Sequence, residues 1–381
     1  MHSEFRKIVV ACDSFKGSLS SQEVARAVAD GVHHVCPACQ VDALLMGDGG
    51  EGTVDALVAG SREPMQWVIC TVDAPLPELP QVDARYAISA DGSTAFMELA
   101  QASGMALVPT AKRDIMRSST LGTGQMMLDA LERGCSHIVM GLGGSATCDG
   151  GMGVLAALGV EFVDSLGHLL PPAAASLELI SEIDYSGLRD DAMRAQVTLL
   201  VDVANPLCGP QGAARVFAPQ KGASPEQVEL IEQAMQHYAH LLGDSTTRPG
   251  CGAAGGVGAA LTAVLPHCRI TPGATFVLNH IGLAERMAGA DLVITGEGRI
   301  DAQTSMGKAP QAVAQVARLQ QVPVVAICGA VKPGVVAEQL GFDRIIAVTP
   351  PNQQLEQAMQ PHVAHNNVAR SIAELLLKHP L

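Results

Sequence analysis

The sequence predicts an α/β fold in two domains, and three observations carry that expectation. Short Val/Ile/Leu runs recur along the chain, at 7–12, 41–46, 137–140, 197–201, 291–295, 323–328 and 344–348, with helical segments between many of them. Strands buried on both faces of a parallel sheet read as such continuous apolar runs. Hydrophobic residues make up 48% of the chain while aromatics make up 3%, so small aliphatic side chains must fill the core. Finally, several of these runs empty into loops rich in glycine and charge, just ahead of a helix. That is how open α/β sheets present binding groups, at the carboxyl ends of their strands.

The first unit sets the pattern. KIVVAC at 7–12 reads as a strand that ends at Asp13, Ser14, Phe15, Lys16 and Gly17. Ser20 or Ser21 then caps a helix to about His34, with Glu23 in its first turn. Lys16 sits where a cation can meet an anion near a helix start; the plainer alternative makes Asp13 and Ser14 turn formers. VDALLM at 41–46 is the second strand and leads into Gly47, Asp48, Gly49, Gly50, Glu51, Gly52 and Thr53. These glycines let backbone approach a ligand closely, and Asp48 and Glu51 can orient a magnesium-bound water or accept from hydroxyls. No Lys-Ser or Lys-Thr follows, so this is not a Walker A loop.

From Trp67 to about Leu107 the texture changes. Pro75, Pro77 and Pro80 mark a loop, and residues 84–89 and 93–100 read as paired strands around Asp91-Gly92. A helix over Thr120–Gly134 precedes the strand 137–140. That strand opens into Gly141-Leu-Gly143-Gly144-Ser145-Ala-Thr147-Cys148-Asp149-Gly-Gly151, a candidate phosphate cradle before another helix. The run 197–201 ends at Asp202, where a carboxylate beside so apolar a strand is costly unless paired or functional. Lys221 follows in FAPQKG, and 225–242 is an amphipathic helix. The uncharged glycine cluster 250–258 reads as close helix packing.

After about residue 285 the parallel-sheet texture returns. In residues 291–310, DLVITGEGRIDAQTSMGKAP, an apolar run breaks at Thr295-Gly296 into a loop carrying Glu297, Arg299 and Asp301, with Lys308 after Gly307. Two carboxylates and an arginine beside glycine-freed N–H groups can hold a phosphate and its metal ion. A solvated turn with a surface ion pair is the plainer alternative. The simplest architecture joins 1–65 and 285–381 in one Rossmann-like parallel-sheet domain, with 66–284 inserted as a mixed α/β domain and the active site in the cleft.

Composition excludes some functions. A formal net charge of −14 argues against a nucleic-acid partner. No signal peptide and no membrane-length apolar run is visible, which points to the cytoplasm. Ten scattered cysteines fit reduced, buried thiols. Cys36 and Cys39 form a CxxC beside His33 and His34, but no second pair matches it, and Pro37 marks a plain loop.

Taken together, DSFKGSLS at 13–20, GDGGEGT at 47–53, GLGGSATCDGG at 141–151, FAPQKGA at 217–223 and TGEGRIDAQTSMGKAP at 295–310 resemble the type I glycerate kinase family. They occur in the family's order and span essentially the whole chain. The chain departs from the family pattern at Gly17, where glutamate is usual, at Cys12 in place of proline, and at Cys148 in place of asparagine. The resemblance implies a two-domain kinase that uses ATP and Mg²⁺ to phosphorylate D-glycerate, giving 2-phosphoglycerate.

Phosphoryl transfer needs an aligned hydroxyl, a cationic clamp and a proton acceptor. Lys16 and Arg299 are the first candidates for the substrate carboxylate or γ-phosphate, with Lys308 and Lys221 behind them. Gly49, Gly50, Gly143, Gly144, Ser145 and Thr147 are candidates to cradle phosphate or substrate. Asp13, Asp202, Glu297 and Asp301 are candidates for base or Mg²⁺ orientation, and Asp202 leads because its strand is so apolar. Asp48 and Glu51 are candidates for the glycerate hydroxyls or the metal shell. A small-hydroxy-acid dehydrogenase and a non-catalytic metabolite sensor on a kinase scaffold remain alternatives, and a homo-oligomer is compatible with the sequence. Against the dehydrogenase, no GxGxxG follows the first strand, although 47–52 fits it loosely after the second.

Overall fold

The computed structural model describes residues 5–243, 247–300 and 309–378. Its strands, in chain order, are β1 (Lys7–Cys12), β2 (Gln40–Leu45), β3 (Gln66–Val72), β4 (Val82–Ile88), β5 (Thr94–Glu98), β6 (His137–Gly141), β7 (Glu161–Val163), β8 (Glu182–Asp184), β9 (Gln196–Val201), β10 (Cys268–Pro272), β11 (Leu292–Ile300), β12 (Val324–Val331) and β13 (Arg344–Ala347). The chain divides into two compact units. The end unit comprises Met1–Asp48, Asp55–Arg62 and Ala274–Leu381, and the inserted unit comprises Gly49–Val54 and Glu63–Gly273.

The end unit carries an all-parallel five-stranded sheet in the order β13-β12-β11-β1-β2. Numbered within the unit, this is the 2-1-3-4-5 doubly wound order, and its direction reverses between β1 and β11. Ile8, Val10 and Cys12 of β1 pack with Val24, Val28, Val368 and Ile372 from the helices Ser21–Val35 and Pro361–Lys378. Those two helices cross at Gly31, where a Cβ would lie 2.4 Å from the carbonyl of Ala369. Ser20 closes a capping box with Glu23 at the start of the first helix.

The chain passes between the compact units at 48/49, 54/55, 62/63 and 273/274, and the last two joins lie ahead of the composition shifts near 66 and 285. Packing explains the later one. Ile281 lies so close to Gly60 that a Cβ there would sit 2.3 Å from its methyl, and Arg286 makes a two-pronged bond to Asp42 of β2. The helices Gly273–His280 and Leu283–Met287 therefore count with the end unit.

The inserted unit holds a six-stranded mixed sheet, β10-β9-β6-β5-β4-β3, in which β3, β4 and β5 pair antiparallel and the remainder parallel. Its core is built from Tyr86, Met126, Met127, Ile138, Met140, Leu199 and Tyr238. The helix Leu121–Glu132 lies on Met152–Ala157, and Gly124 permits the approach, since a Cβ there would meet that of Ala157 at 2.6 Å. The cluster 250–258 does pack backbone on backbone: a Cβ on Gly255 would sit 2.2 Å from the carbonyl of Thr147. β3 and β10 are not apparent in the sequence, because both are edge strands with half-exposed faces and β10 ends on Pro272.

Candidate functional site

In the end unit, three acidic residues gather at the carboxyl ends of adjacent strands. Asp13 follows β1, Asp48 lies three residues beyond β2, and Glu297 follows the Cys12–Gly296 pair that ends the β1/β11 register. This is the switch point of the sheet, where ligands of such folds bind. The Asp13 N–H donates to Gly296 O at 2.8 Å, and its Oδ1 accepts from the N–H of Ser14 at 2.7 Å. Burial, then the Asp48 carboxylate, push the Asp13 carboxyl up to about 7, against the opposing pull of the Ser14 N–H and Lys16.

Lys16 stands at the tip of a tight turn closed by paired Phe15 and Leu19 backbone bonds. Gly17 takes φ +77° there, a left-handed conformation that a glutamate would adopt only with strain. The Lys16 ammonium lies 4.0 Å from Asp48 Oδ2, and its side chain is 79% exposed. Ser21, not singled out by sequence beyond capping, joins these loops. Its hydroxyl donates to Cys12 O at 2.7 Å and accepts from Met46 N at 3.0 Å.

The loop expected after Ile294 is instead strand. β11 runs through to Ile300, with Glu297 paired to Cys328 and Arg299 to Ala330 of β12. Gly296 does not break the strand. It lets β12 approach, since a Cβ would lie 2.2 Å from Ile327 O. Glu297 and Arg299, two residues apart on a strand, share a face. Arg299 is exposed and Glu297 half-buried. Asp301 and Lys308 lie outside the described residues.

In the inserted unit, the glycines of 49–52 and 141–151 largely serve each other. A Cβ on Gly143 would meet Gly50 Cα at 2.5 Å, and one on Gly49 would meet Leu200 O at 2.6 Å. The N–H groups of this loop are also engaged internally: Gly143 donates to Gly49 O, Ala146 to Ser103 O and Gly150 to Gly255 O. Gly144, with φ +74°, accepts from Met105 N through its carbonyl. Backbone packing thus accounts for much of the glycine density read as a cradle.

What this loop does present is a buried polar core. Lys221 is only 3% exposed, and its Nζ donates to Ser145 Oγ and to Thr147 O, both at 2.7 Å. It is delivered by a single 3₁₀ turn, Pro219–Lys221, that ends on left-handed Gly222. Burial pulls the Lys221 ammonium below its ordinary range. The buried Thr147 hydroxyl has no hydrogen-bond partner among the described residues. Asp149 anchors the loop, accepting from Thr120 N, Thr120 Oγ1, Gly151 N and Gly153 N. Cys148, in place of the usual asparagine, is a buried thiol pushed up to about 11 by that burial.

Asp202 does not meet the argument that favoured it. β9 ends at Val201 and Asp202 is exposed, so the desolvation expected there falls on Asp13 instead. Glu51 is exposed and belongs to the inserted unit, while Asp48 belongs to the end unit. Among the described residues no three His, Cys, Asp or Glu side chains close on a point as a protein-only metal site would. Cys36 and Cys39 are buried thiols facing the carbonyls of Phe5 and Gln40. No helix among the described residues is long and apolar enough to cross a membrane.

A sequence model described as the glycerate kinase family matches residues 8–377. A Bacillus cereus protein named glycerate kinase is 42% identical over 376 residues, 96% of this chain and 97% of its own length. A protein of Escherichia coli K12 named glycerate 2-kinase is 41% identical, with 96% of each chain covered. A crystal structure from Salmonella typhimurium LT2, described as that of a putative glycerate kinase 2, superposes with a TM-score of 0.81 at 39% identity over 98% of both chains.

Proposed function

The chain belongs to the glycerate kinase family of phosphotransferases, and on that premise we propose that it moves the γ-phosphoryl group of ATP onto the 2-hydroxyl of D-glycerate, giving 2-phosphoglycerate. The observation that carries this reading is the gathering of Asp13, Asp48 and Glu297 at the β1/β11 switch point, with Lys16 beside them. In the proposed mechanism Asp13 is the proton acceptor. Its Oδ1 is fixed by the Ser14 N–H, which leaves Oδ2 for the substrate hydroxyl. Lys16 and Arg299 hold the γ-phosphate as charge spreads over its oxygens.

The oxygen donors of Asp13, Asp48 and Glu297 suit Mg²⁺, a hard cation that binds through one or two carboxylates together with substrate phosphates. Asp48 is our choice for that shell, and the ion would supply positive charge against the phosphate oxygens when bound with nucleotide; Glu51 is kept as a candidate for the glycerate hydroxyls. Asp301 and Lys308 are retained as candidates on the family resemblance, whose motifs do not include Asp202. In the inserted unit Gly144, Ser145 and Thr147 are proposed to bind substrate, with Gly49, Gly50 and Gly143 shaping the loop behind them. We read the two compact units as the two domains and place the enzyme in the cytoplasm.

The test is ADP release measured with and without D-glycerate, followed by phosphorus NMR of the product. Glycerate-dependent release with a 2-phosphoglycerate resonance is expected. Release that does not depend on glycerate, or oxidation of NADH with hydroxypyruvate, would overturn the reading.

A further inference from the structure

We propose that Met359 is a positioning residue for Lys16, holding the tip of the turn 15–19 from outside it. This rests on the kinase reading above, in which Lys16 holds the γ-phosphate, and adds to it the group that fixes where the backbone of that lysine stands. Both residues lie in the end unit. A Cβ at Gly17 would sit 3.0 Å from Met359 Cε, and among the described residues no other atom beyond the chain neighbours comes within 4 Å of that point.

The turn is shaped mostly from within. Phe15 N donates to Leu19 O, while Ser18 N and Leu19 N both donate to Phe15 O, so these bonds close the loop without tying its tip to a neighbouring element. Phe15 and Leu19 are buried at its base, whereas Lys16 and Gly17 are exposed. The Ser18 hydroxyl is buried without a hydrogen-bond partner among the described residues and adds no tether. The ion pair with Asp48 acts at the far end of a long side chain, not on the backbone of the tip. Gly17 holds a left-handed φ of +77°, and glycine meets little steric resistance to leaving it. A contact at the tip therefore limits the conformations open to the backbone of Lys16.

Met359 is itself held in place. It follows the short helix Leu355–Ala358, and its N–H donates to Leu355 O at 2.9 Å. Just upstream, Gln353 Oε1 accepts from Asn367 Nδ2 at 2.7 Å, and Asn367 Oδ1 accepts from Arg370 Nη2 at 3.1 Å. Asn367 is buried on the helix Pro361–Lys378, whose Ala364 shares one core cluster with Phe15, Leu19 and Val348. The base of the turn and the segment bearing Met359 are thus anchored to the same helix. An unbranched thioether suits the contact, because it adapts to a turn that shifts slightly as phosphate arrives. A backbone set in advance lowers the entropy lost when the lysine closes on phosphate, and a misplacement of about 1 Å can cost on the order of 100-fold in rate.

The test uses Met359→Ala and Met359→Leu in the full chain. Met359 is 36% exposed, so neither variant should unfold the protein. Met359→Ala should lower kcat about tenfold with KM for D-glycerate unchanged within about twofold, because Lys16 acts on the phosphoryl group in the transition state. Met359→Leu keeps the apolar reach and should hold kcat within about twofold of the wild type. Trypsin gives a readout that needs no turnover. Cleavage after Lys16, assigned by mass spectrometry, should rise about fivefold in Met359→Ala at an unchanged melting temperature, and should not rise in Met359→Leu. An unchanged trypsin rate at Lys16, an unchanged kcat, a rise in KM for glycerate alone, or equal losses from both variants would overturn the proposal. Absence of glycerate turnover in the wild type would instead overturn the kinase reading, and the trypsin comparison would still decide whether Met359 holds the turn.

Discussion

Asp149 takes both the backbone N–H and the hydroxyl of Thr120 on a single oxygen, at 2.7 and 2.8 Å, with no exposure to water. The Thr120 hydroxyl in turn accepts from Val154 N at 3.1 Å, so the pair locks the glycine-rich loop to the starts of two helices. All four donors around Asp149 need an acceptor. An asparagine would turn its NH₂ against at least one of them. Asp149→Asn should therefore lose about 1–3 kcal/mol in urea unfolding, and Thr120→Val about 1–2 kcal/mol. Values within error of the wild type would show the loop to be held by packing alone.

Asp13 should cost stability where it is ionised. Its folded value of about 7 lies above the ordinary 3.8, so the fold disfavours its charged form. The penalty is absent below about pH 4, grows as pH rises, and is complete above about pH 7. Asp13→Asn should thus melt higher than the wild type at pH 8 in metal-free buffer, with the difference closing near pH 4. The same variant should lose about two or more orders of magnitude in kcat. A variant that melts lower at pH 8 would show the carboxylate to be paired and stabilising.

The readable parts of this site are those set by local sequence. Asp13 and Asp48 stand out because an apolar run stops at each of their loops, and the stop survives folding. Glu297 and Arg299 fall in the expected segment but on a different element. Gly296 reads as a break locally, and only the approach of β12, well downstream in sequence, shows it to be a strand glycine. The burial of Lys221 has no local signature, because a short 3₁₀ turn carries it under the loop of Ser145. The exposure of Asp202 cannot be read from its neighbours, since the strand before it is almost wholly buried and the chain turns outward one residue later.

Lys16 separates catalysis from stability. Its side chain is largely in solvent and its distance to Asp48 is 4.0 Å, so the ion pair is worth under about 1 kcal/mol to the fold. In the transition state the same charge acts on a phosphoryl group. Lys16→Ala should leave the unfolding midpoint nearly unchanged and lower kcat/KM by about two orders of magnitude or more, ~3 kcal/mol. A near-normal kcat/KM would remove Lys16 from the site.

Ser21 should report on the alignment of the first two loops. Its hydroxyl is shared between Cys12 O and Met46 N, the residues just before Asp13 and just after β2. Ser21→Ala leaves an N–H without its acceptor and should cost about 1–2 kcal/mol. Because Ser20 and Glu23 still cap the helix, far-UV dichroism should not change, whereas kcat should fall. Unchanged kcat in a destabilised variant would confine Ser21 to a structural role.

β11 supplies a paired test on one strand. A methyl at Gly296 would lie 2.2 Å from Ile327 O and 2.7 Å from Ile327 Cγ1, contacts that only a movement of β12 can relieve. A methyl at Gly298 would meet Lys16 N at 3.4 Å, an ordinary contact. Neither glycine has a positive φ, so conformational strain is the same small term in both. Gly296→Ala should therefore cost about 3 kcal/mol and, by displacing Glu297 beside Asp13, depress kcat as well. Gly298→Ala should cost under about 1 kcal/mol. Equal losses from the two would mean that strand pairing beyond Gly296 is too loose to hold Glu297 in place.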